Sequence, residues 1–181
     1  MKKVILHDKT FVPYLSESKI KEAIQSLANS INNDYTHSEK PPVFISVLNG
    51  SFMFTADLLK EITIPCEVSF VKMASYQGTQ STGKVNELIG VDENLEGRDI
   101  ILLEDIVDTG NTLLKLVDLL KAQKIKSLKI CTLLFKPEPY HNQLPLDYIG
   151  IEIPNKFVVG YGLDYDNLGR NLKEIYVLTE N

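Results

Sequence analysis

The sequence predicts an α/β fold: one domain built on a parallel sheet, with helices on both faces and the ligand edge where the strands end. Three observations predict it. Apolar runs of strand length alternate with stretches of helical periodicity, the pattern of strand–helix–strand units. Two strand–turn–helix units, 43–62 and 100–121, set polar turns directly after apolar strands. In open parallel sheets ligands bind at that carboxyl edge. With 181 residues, 44% of them hydrophobic, the chain can bury one substantial core.

The elements follow in order. Val4-Ile5-Leu6 after two lysines resembles the start of a secretory signal, but His7-Asp8-Lys9 breaks it. Export is therefore not expected, and the protein is expected in the cytoplasm. Ile20, Ile24, Leu27 and Ile31 recur at helical spacing, with Ser16 as cap. Residues 32–42 are polar and read as a connection, and 43–47 as a short strand. Leu48-Asn49-Gly50-Ser51 turns the chain into a helix over 52–62, with Phe54, Leu58 and Leu59 on one side. Residues 66–71 alternate like a strand. Residues 75–84 hold no aliphatic side chain and two glycines, the composition of an exposed loop. Residues 100–104 form the central strand, and Leu113, Leu116, Val117 and Leu120 the apolar face of the next helix. Residues 130–135, 148–153, 157–161 and 175–178 complete the strands. From Lys136 onward helical patterns thin out and Pro, Tyr and Asp increase, which suggests a small lobe over the sheet edge.

Composition removes several function classes. A net charge of −5 disfavours a nucleic-acid partner. No segment is long and apolar enough to span a membrane as a helix. Cys66 and Cys131 lie far apart inside apolar strand-like runs. They read as two reduced, buried thiols rather than a disulfide framework or a metal site.

The chemistry concentrates in one run. The apolar residues 100–103 lead into Glu104 and Asp105, then Asp108, then Thr109-Gly110-Asn111-Thr112 at the start of a helix. A helix start aims backbone N–H groups and the positive end of its dipole at one spot, which suits a phosphate. Thr109 and Thr112 add hydroxyls, and Gly110 lets the backbone approach an anion or take a positive φ. No lysine lies in the turn, so it is not a nucleoside-triphosphate loop; it suits a phosphate monoester. Glu104 and Asp105 need partners at a strand end: vicinal sugar hydroxyls or magnesium would serve. Asp108 is free to accept a proton. A bland reading makes Asp108 or Thr109 a helix cap and leaves two solvated acids; the whole run, apolar strand included, favours the ligand site.

This run, from Ile100 to Leu113, resembles the phosphoribosyl-diphosphate motif of type I phosphoribosyltransferases. Lys136, the run Lys156-Phe157-Val158-Val159-Gly160-Tyr161-Gly162-Leu163-Asp164-Tyr165, Ser75-Tyr76 and the turn Leu48-Asn49-Gly50-Ser51 resemble the hypoxanthine-guanine branch of that family. The resemblance implies the type I phosphoribosyltransferase-like fold, a parallel sheet core flanked by helices with a small hood lobe. It implies purine salvage, with phosphoribosyl diphosphate and a 6-oxopurine as substrates, and a homodimer or homotetramer.

The resemblance also distributes roles. Residues 108–112 hold the 5′-phosphate, and Glu104 and Asp105 contact the ribose hydroxyls directly or through Mg2+. Asp108 is the general acid/base near the purine nitrogen. Lys136 donates to the 6-oxo group, which an ammonium with donors only can accept in preference to adenine's 6-amino group. Phe157 stacks on the base, the Val158 backbone meets its other edge, and Lys156 belongs to the same pocket. Leu48, Asn49, Gly50 and Ser51 bind pyrophosphate, with a cis peptide expected at Leu48–Asn49. Asp164 helps hold magnesium, and Arg170 grips the pyrophosphate. Ser75 and Tyr76 lead a lid that excludes water. Asn49 departs from the basic residue common at its place, removing a charge from the turn. Two other classes share parts of this pattern. One is a regulatory protein of the same fold that controls RNA, against which the acidic composition weighs. The other is a phospho-acceptor signalling domain, which needs an acid pair after the first strand where this chain has Asn49.

Overall fold

A computed structural model describes residues 3–72, 94–141 and 144–179. In chain order they form β1 (Val4–Leu6), β2 (Lys9–Leu15), α1 (Glu17–Tyr35), β3 (Val43–Leu48), α2 (Phe52–Glu61), β4 (Glu67–Lys72), β5 (Asp99–Val107), α3 (Asn111–Lys121), β6 (Ser127–Phe135), β7 (Tyr148–Glu152), β8 (Val158–Val159) and β9 (Ile175–Leu178). Ser75 and Tyr76, expected to lead a lid, lie outside the described residues.

The main sheet has five strands in the order β4-β3-β5-β6-β7, and all its pairings are parallel. Its centre is buried on both faces, which explains why β5 opens as a continuous apolar run. Ile101 and Leu103 pack in the layer of α1 and α2, with Ile20, Ile24, Phe54 and Leu58. Ile100 and Leu102 pack in the layer of α3, with Leu113, Leu116, Val117 and Leu120. Helices on both faces are therefore present as the periodicity predicts.

The local signals in α1 hold at its start and fail at its end. The Ser16 hydroxyl accepts from the Lys19 N–H at 3.3 Å, the expected cap. The helix continues past Ile31 to Tyr35, through residues read as a connection. The reason is tertiary. The Asn32 amide donates to the Glu61 carbonyl at 3.0 Å, and its Oδ1 accepts from the Thr63 N–H at 2.9 Å. A polar side chain inside α1 thus satisfies backbone groups at the end of α2. Tyr35 is buried one residue after Asp34.

The small lobe is a second sheet, and it is antiparallel: β1-β2-β9-β8. This corrects the purely parallel reading of the later strands. It also corrects the lobe's composition, because half of its strands come from residues 4–15, and β7 belongs to the main sheet. Phe11 pairs with Leu178 and Val158 with Val177. Leu6, Phe11, Val159 and Tyr176 form a separate small core beneath this hood. Cys131 is buried as expected, and burial pushes its thiol well above the ordinary value. Cys66 is exposed, which corrects the expectation. It precedes edge strand β4, whose Val68 and Phe70 are also exposed.

Candidate active site

β5 runs on to Val107, so Glu104 and Asp105 lie inside the strand rather than beyond its end. Glu104 pairs across the ladder with Thr132. Its Oε2 is buried and has no hydrogen-bond partner. Burial first, and the neighbouring Asp105 charge second, push the Glu104 carboxyl well above the carboxylate range. Burial also raises Asp105, to about 6, against the hydrogen bonds that its carboxyl accepts from the Ile106 N–H and its own backbone. Two adjacent acids with unmet demand for donors or positive charge suit sugar hydroxyls or a hard cation. Among the described residues no three acids, histidines or cysteines gather into a metal cage. Magnesium characteristically binds through one or two carboxylates, water and substrate phosphate oxygens, so the acids present fit it.

The turn after β5 leads directly into α3. Gly110 is the N-cap, with φ 80 and ψ 3, and brings no side chain of its own; the Asn111 N–H donates to Thr109 Oγ1 at 3.5 Å. The capping reading of Asp108 or Thr109 is thus corrected: a left-handed glycine opens α3 and leaves its start facing a cavity of about 110 Å³. Glu104, Asp108, Thr109, Gly110, Asn111 and Thr112 all line that cavity, whose size and N–H-rich wall suit one phosphate group.

A second cavity of about 400 Å³ opens alongside, lined by Gly50, Asp105, Asp108, Lys136, Phe157, Val158, Asp164 and Arg170. Ile106 and Leu163 complete its wall. As apolar residues next to acids they carry no chemical signal in the sequence. Asp108 and Ile106 line both cavities, so Asp108 stands at their junction. Lys136 is 7% exposed, yet its Nζ reaches Asp108 Oδ2 at 3.0 Å. The Lys136 N–H donates to the Val107 carbonyl at 3.0 Å, which seats the end of β6 beside the end of β5. Phe157 is 45% exposed, an unusual position for a large ring, and packs against Phe11 and Tyr165.

The far end of the larger cavity is ionic. Arg170 Nη2 lies 2.7 Å from Asp164 Oδ1, and its Nη1 donates to the Gly162 carbonyl at 2.7 Å. Asp164 Oδ2 accepts from the Asn167 N–H at 2.7 Å. The Leu48–Asn49 peptide is cis, as the resemblance implies. Of that turn only Gly50 lines the cavity. Asn49 is exposed, and Ser51 turns inward, its hydroxyl bonded to the Val47 carbonyl and to Ser46 Oγ at 2.7 Å. Ser51 therefore braces the turn from below. Lys156 is exposed and does not line the cavity. The sequence thus brings together one acid–lysine junction, a buried and a half-buried acid, a helix start and an arginine.

A family model for the phosphoribosyl transferase domain matches residues 14–166. The chain is 45% identical over 166 residues to a hypoxanthine-guanine phosphoribosyltransferase of Streptococcus pyogenes serotype M3, covering 91% of each protein. It is 42% identical over 159 residues to a hypoxanthine phosphoribosyltransferase of Salmonella typhimurium, covering 87% of this chain and 89% of that protein. The crystal structure of a hypoxanthine-guanine phosphoribosyltransferase from Bacillus anthracis, with HEPES in its active site, superposes with a TM-score of 0.83 at 39% identity. That match covers 93% of this chain and 97% of the other. These comparisons lend no support to the regulatory alternative. Fold, cavity and relatives agree, and the chain belongs to the phosphoribosyltransferase family, among its hypoxanthine-guanine members.

Proposed function

We propose that the protein transfers the 5-phosphoribosyl group of 5-phosphoribosyl 1-diphosphate to hypoxanthine or guanine, giving IMP or GMP and pyrophosphate. The observation that carries this reading is the position of Asp108, between the phosphate-sized cavity and the larger one and 3.0 Å from Lys136. Residues 108–112 take the 5′-phosphate, which places the ribose over Glu104 and Asp105. Their carboxyls accept from its hydroxyls. Glu104 and Asp105, with Asp164 on the leaving-group side, would hold Mg2+ together with substrate oxygens. Magnesium, when bound, supplies positive charge to the leaving pyrophosphate.

The remaining work falls to side chains. Phe157 offers its exposed ring for stacking, and Val158 its backbone for the base's edge. Lys136 carries three donors, so it can keep Asp108 and still donate to a 6-oxo group. Adenine's amino group offers it no acceptor of that kind. As the base nitrogen attacks the anomeric carbon and pyrophosphate departs, Asp108 manages the proton at the neighbouring ring nitrogen. Arg170 exchanges its hold on Asp164 for pyrophosphate oxygens, a bidentate grip that guanidinium geometry favours. Gly50 presents backbone to the same group. Lys156 and Asn49 take lesser parts, through the base side and the turn respectively.

The chain acts as one unit, 1–181, in the cytoplasm. Exposed Val68 and Phe70 on edge strand β4 support self-association into a homodimer or homotetramer. Among the described residues no helix is long and apolar enough to cross a membrane. The test is direct: incubate the protein with magnesium, phosphoribosyl diphosphate and each purine in turn, and follow nucleotide formation. IMP or GMP is expected, with little AMP. Absence of product with both hypoxanthine and guanine would overturn the proposal.

A further inference from the structure

Tyr161 and Gly162 belong to the run 156–165 but line neither of the two site cavities. Tyr161 is 4% exposed, and its hydroxyl donates to Asp57 Oδ2 at 2.6 Å. Asp57 belongs to α2, the helix that springs from the 48–51 turn. The other oxygen of that carboxylate accepts from Lys60 Nζ at 2.7 Å. The backbone around Tyr161 is held as firmly. Its N–H donates to the Leu172 carbonyl at 2.8 Å, and the Gly162 N–H to the Arg170 carbonyl at 2.9 Å.

Gly162, at φ +99, rests on the Gly50 carbonyl so closely that an added Cβ would fall 2.0 Å from that oxygen. A Cβ on Gly50 would in turn fall 1.7 Å from Asp105 Oδ2. Hood backbone, turn backbone and β5 carboxylate are therefore stacked with no side chain between the layers. Such contact resists compression but not lifting. The directional tie across the stack is the Tyr161–Asp57 bond, made to a charged acceptor and hence of the stronger kind. It joins the residue before Gly162 to the helix after Gly50.

We propose that Asp57 and Tyr161 are positioning residues for the leaving-group end of the site. Their bond sets the height of Gly162 over Gly50, and so the aim of the Gly50 backbone and of Arg170, which is bonded to the Gly162 carbonyl. The inference rests on the phosphoribosyl-transfer reading above. Neither residue lines the cavity of about 400 Å³. Both border a separate cavity of about 390 Å³ between α1 and α2, with Ile20, Ile24 and Met53. Loss of the Tyr161 hydroxyl therefore leaves open space rather than a clash.

The test uses Tyr161→Phe, Asp57→Leu and Asp57→Asn. Initial rates are measured with phosphoribosyl diphosphate and hypoxanthine varied separately, and magnesium pyrophosphate binding by calorimetry. Tyr161→Phe and Asp57→Leu are expected to raise KM for phosphoribosyl diphosphate and weaken pyrophosphate about tenfold, with KM for hypoxanthine within about twofold. Asp57→Asn keeps an acceptor and should recover most of the loss. Gly162→Ala should reproduce the selective defect by lifting the stack. The proposal is overturned if both KM values move together, if only the melting temperature falls, or if Gly162→Ala binds pyrophosphate normally. A wild-type protein that forms no nucleotide would overturn the functional reading instead, and calorimetry with pyrophosphate would then decide the positioning role alone.

Discussion

Asp108 accepts from Lys136 while bordering both cavities, so its chemistry can be separated from its packing. Asp108→Asn keeps size and hydrogen bonding but cannot take a proton. Calorimetry should show phosphoribosyl diphosphate binding within a few-fold of wild type, while kcat falls about 10²–10⁴-fold. An unchanged kcat would remove the acid/base role. Lys136 is the complementary case. An amide at 136 can present its oxygen to adenine's amino group, so Lys136→Gln should lower the hypoxanthine-to-adenine ratio of kcat/KM by about 10–100-fold. A ratio that stays at the wild-type value would assign the reading of the 6-position to another group. Asp108 was legible as a proton acceptor in the 104–112 run itself, whereas Lys136 was legible as chemistry only through the resemblance. Without it Lys136 is a lysine at a strand end, and its near-complete burial against Asp108 has no periodic signature.

At the scale of elements, the start of α3 is the most informative. Gly110 opens it at φ 80, and the helix start borders the phosphate-sized cavity. Gly110→Ala should cost about 1–2 kcal/mol in urea unfolding, since an L side chain is strained in that region. It should also raise KM for phosphoribosyl diphosphate more than KM for the base. Equal effects on the two would detach the turn from the phosphate. The alternating strands and helices between residues 43 and 135 were legible because burial on both faces of the main sheet leaves long apolar runs. The hood was not. β1 is three residues long, β2 contains Pro13 beside a register shift, and of its side chains only Phe11 is fully buried. Its pairing with β9 is tertiary and leaves no local pattern. Asn32 hid the last turn of α1 for a similar reason: its use lies in α2.

For the whole molecule, the two raised acids set a pH dependence. Between the ordinary 3.8 and the folded value of about 6, Asp105 binds more protons in the folded state than in the unfolded one. Stability is therefore greater below that window and falls as pH rises through about 6, and Glu104 acts in the same direction. Asp105→Asn should flatten this slope and stabilise the free protein at neutral pH by about 1–3 kcal/mol, read from urea unfolding at pH 5 and 7.5. A slope identical to wild type would mean that the acids are solvated. Asp34 has the opposite sign. Hydrogen bonds from Lys129 and Tyr148 hold it below 3.8, so its contribution is present above that value and is lost only in stronger acid. The larger consequence concerns chain order. Phe11 pairs with Leu178, so strands from the two extremes of the sequence must meet before the hood exists. In chain order the five strands of the main sheet and the phosphate cradle precede β9, which supplies Ile175 to the main core and bonds the Phe157 carbonyl through Leu178. The last strand thus serves two layers at once, filling the core under the sugar site and closing the wall behind Phe157.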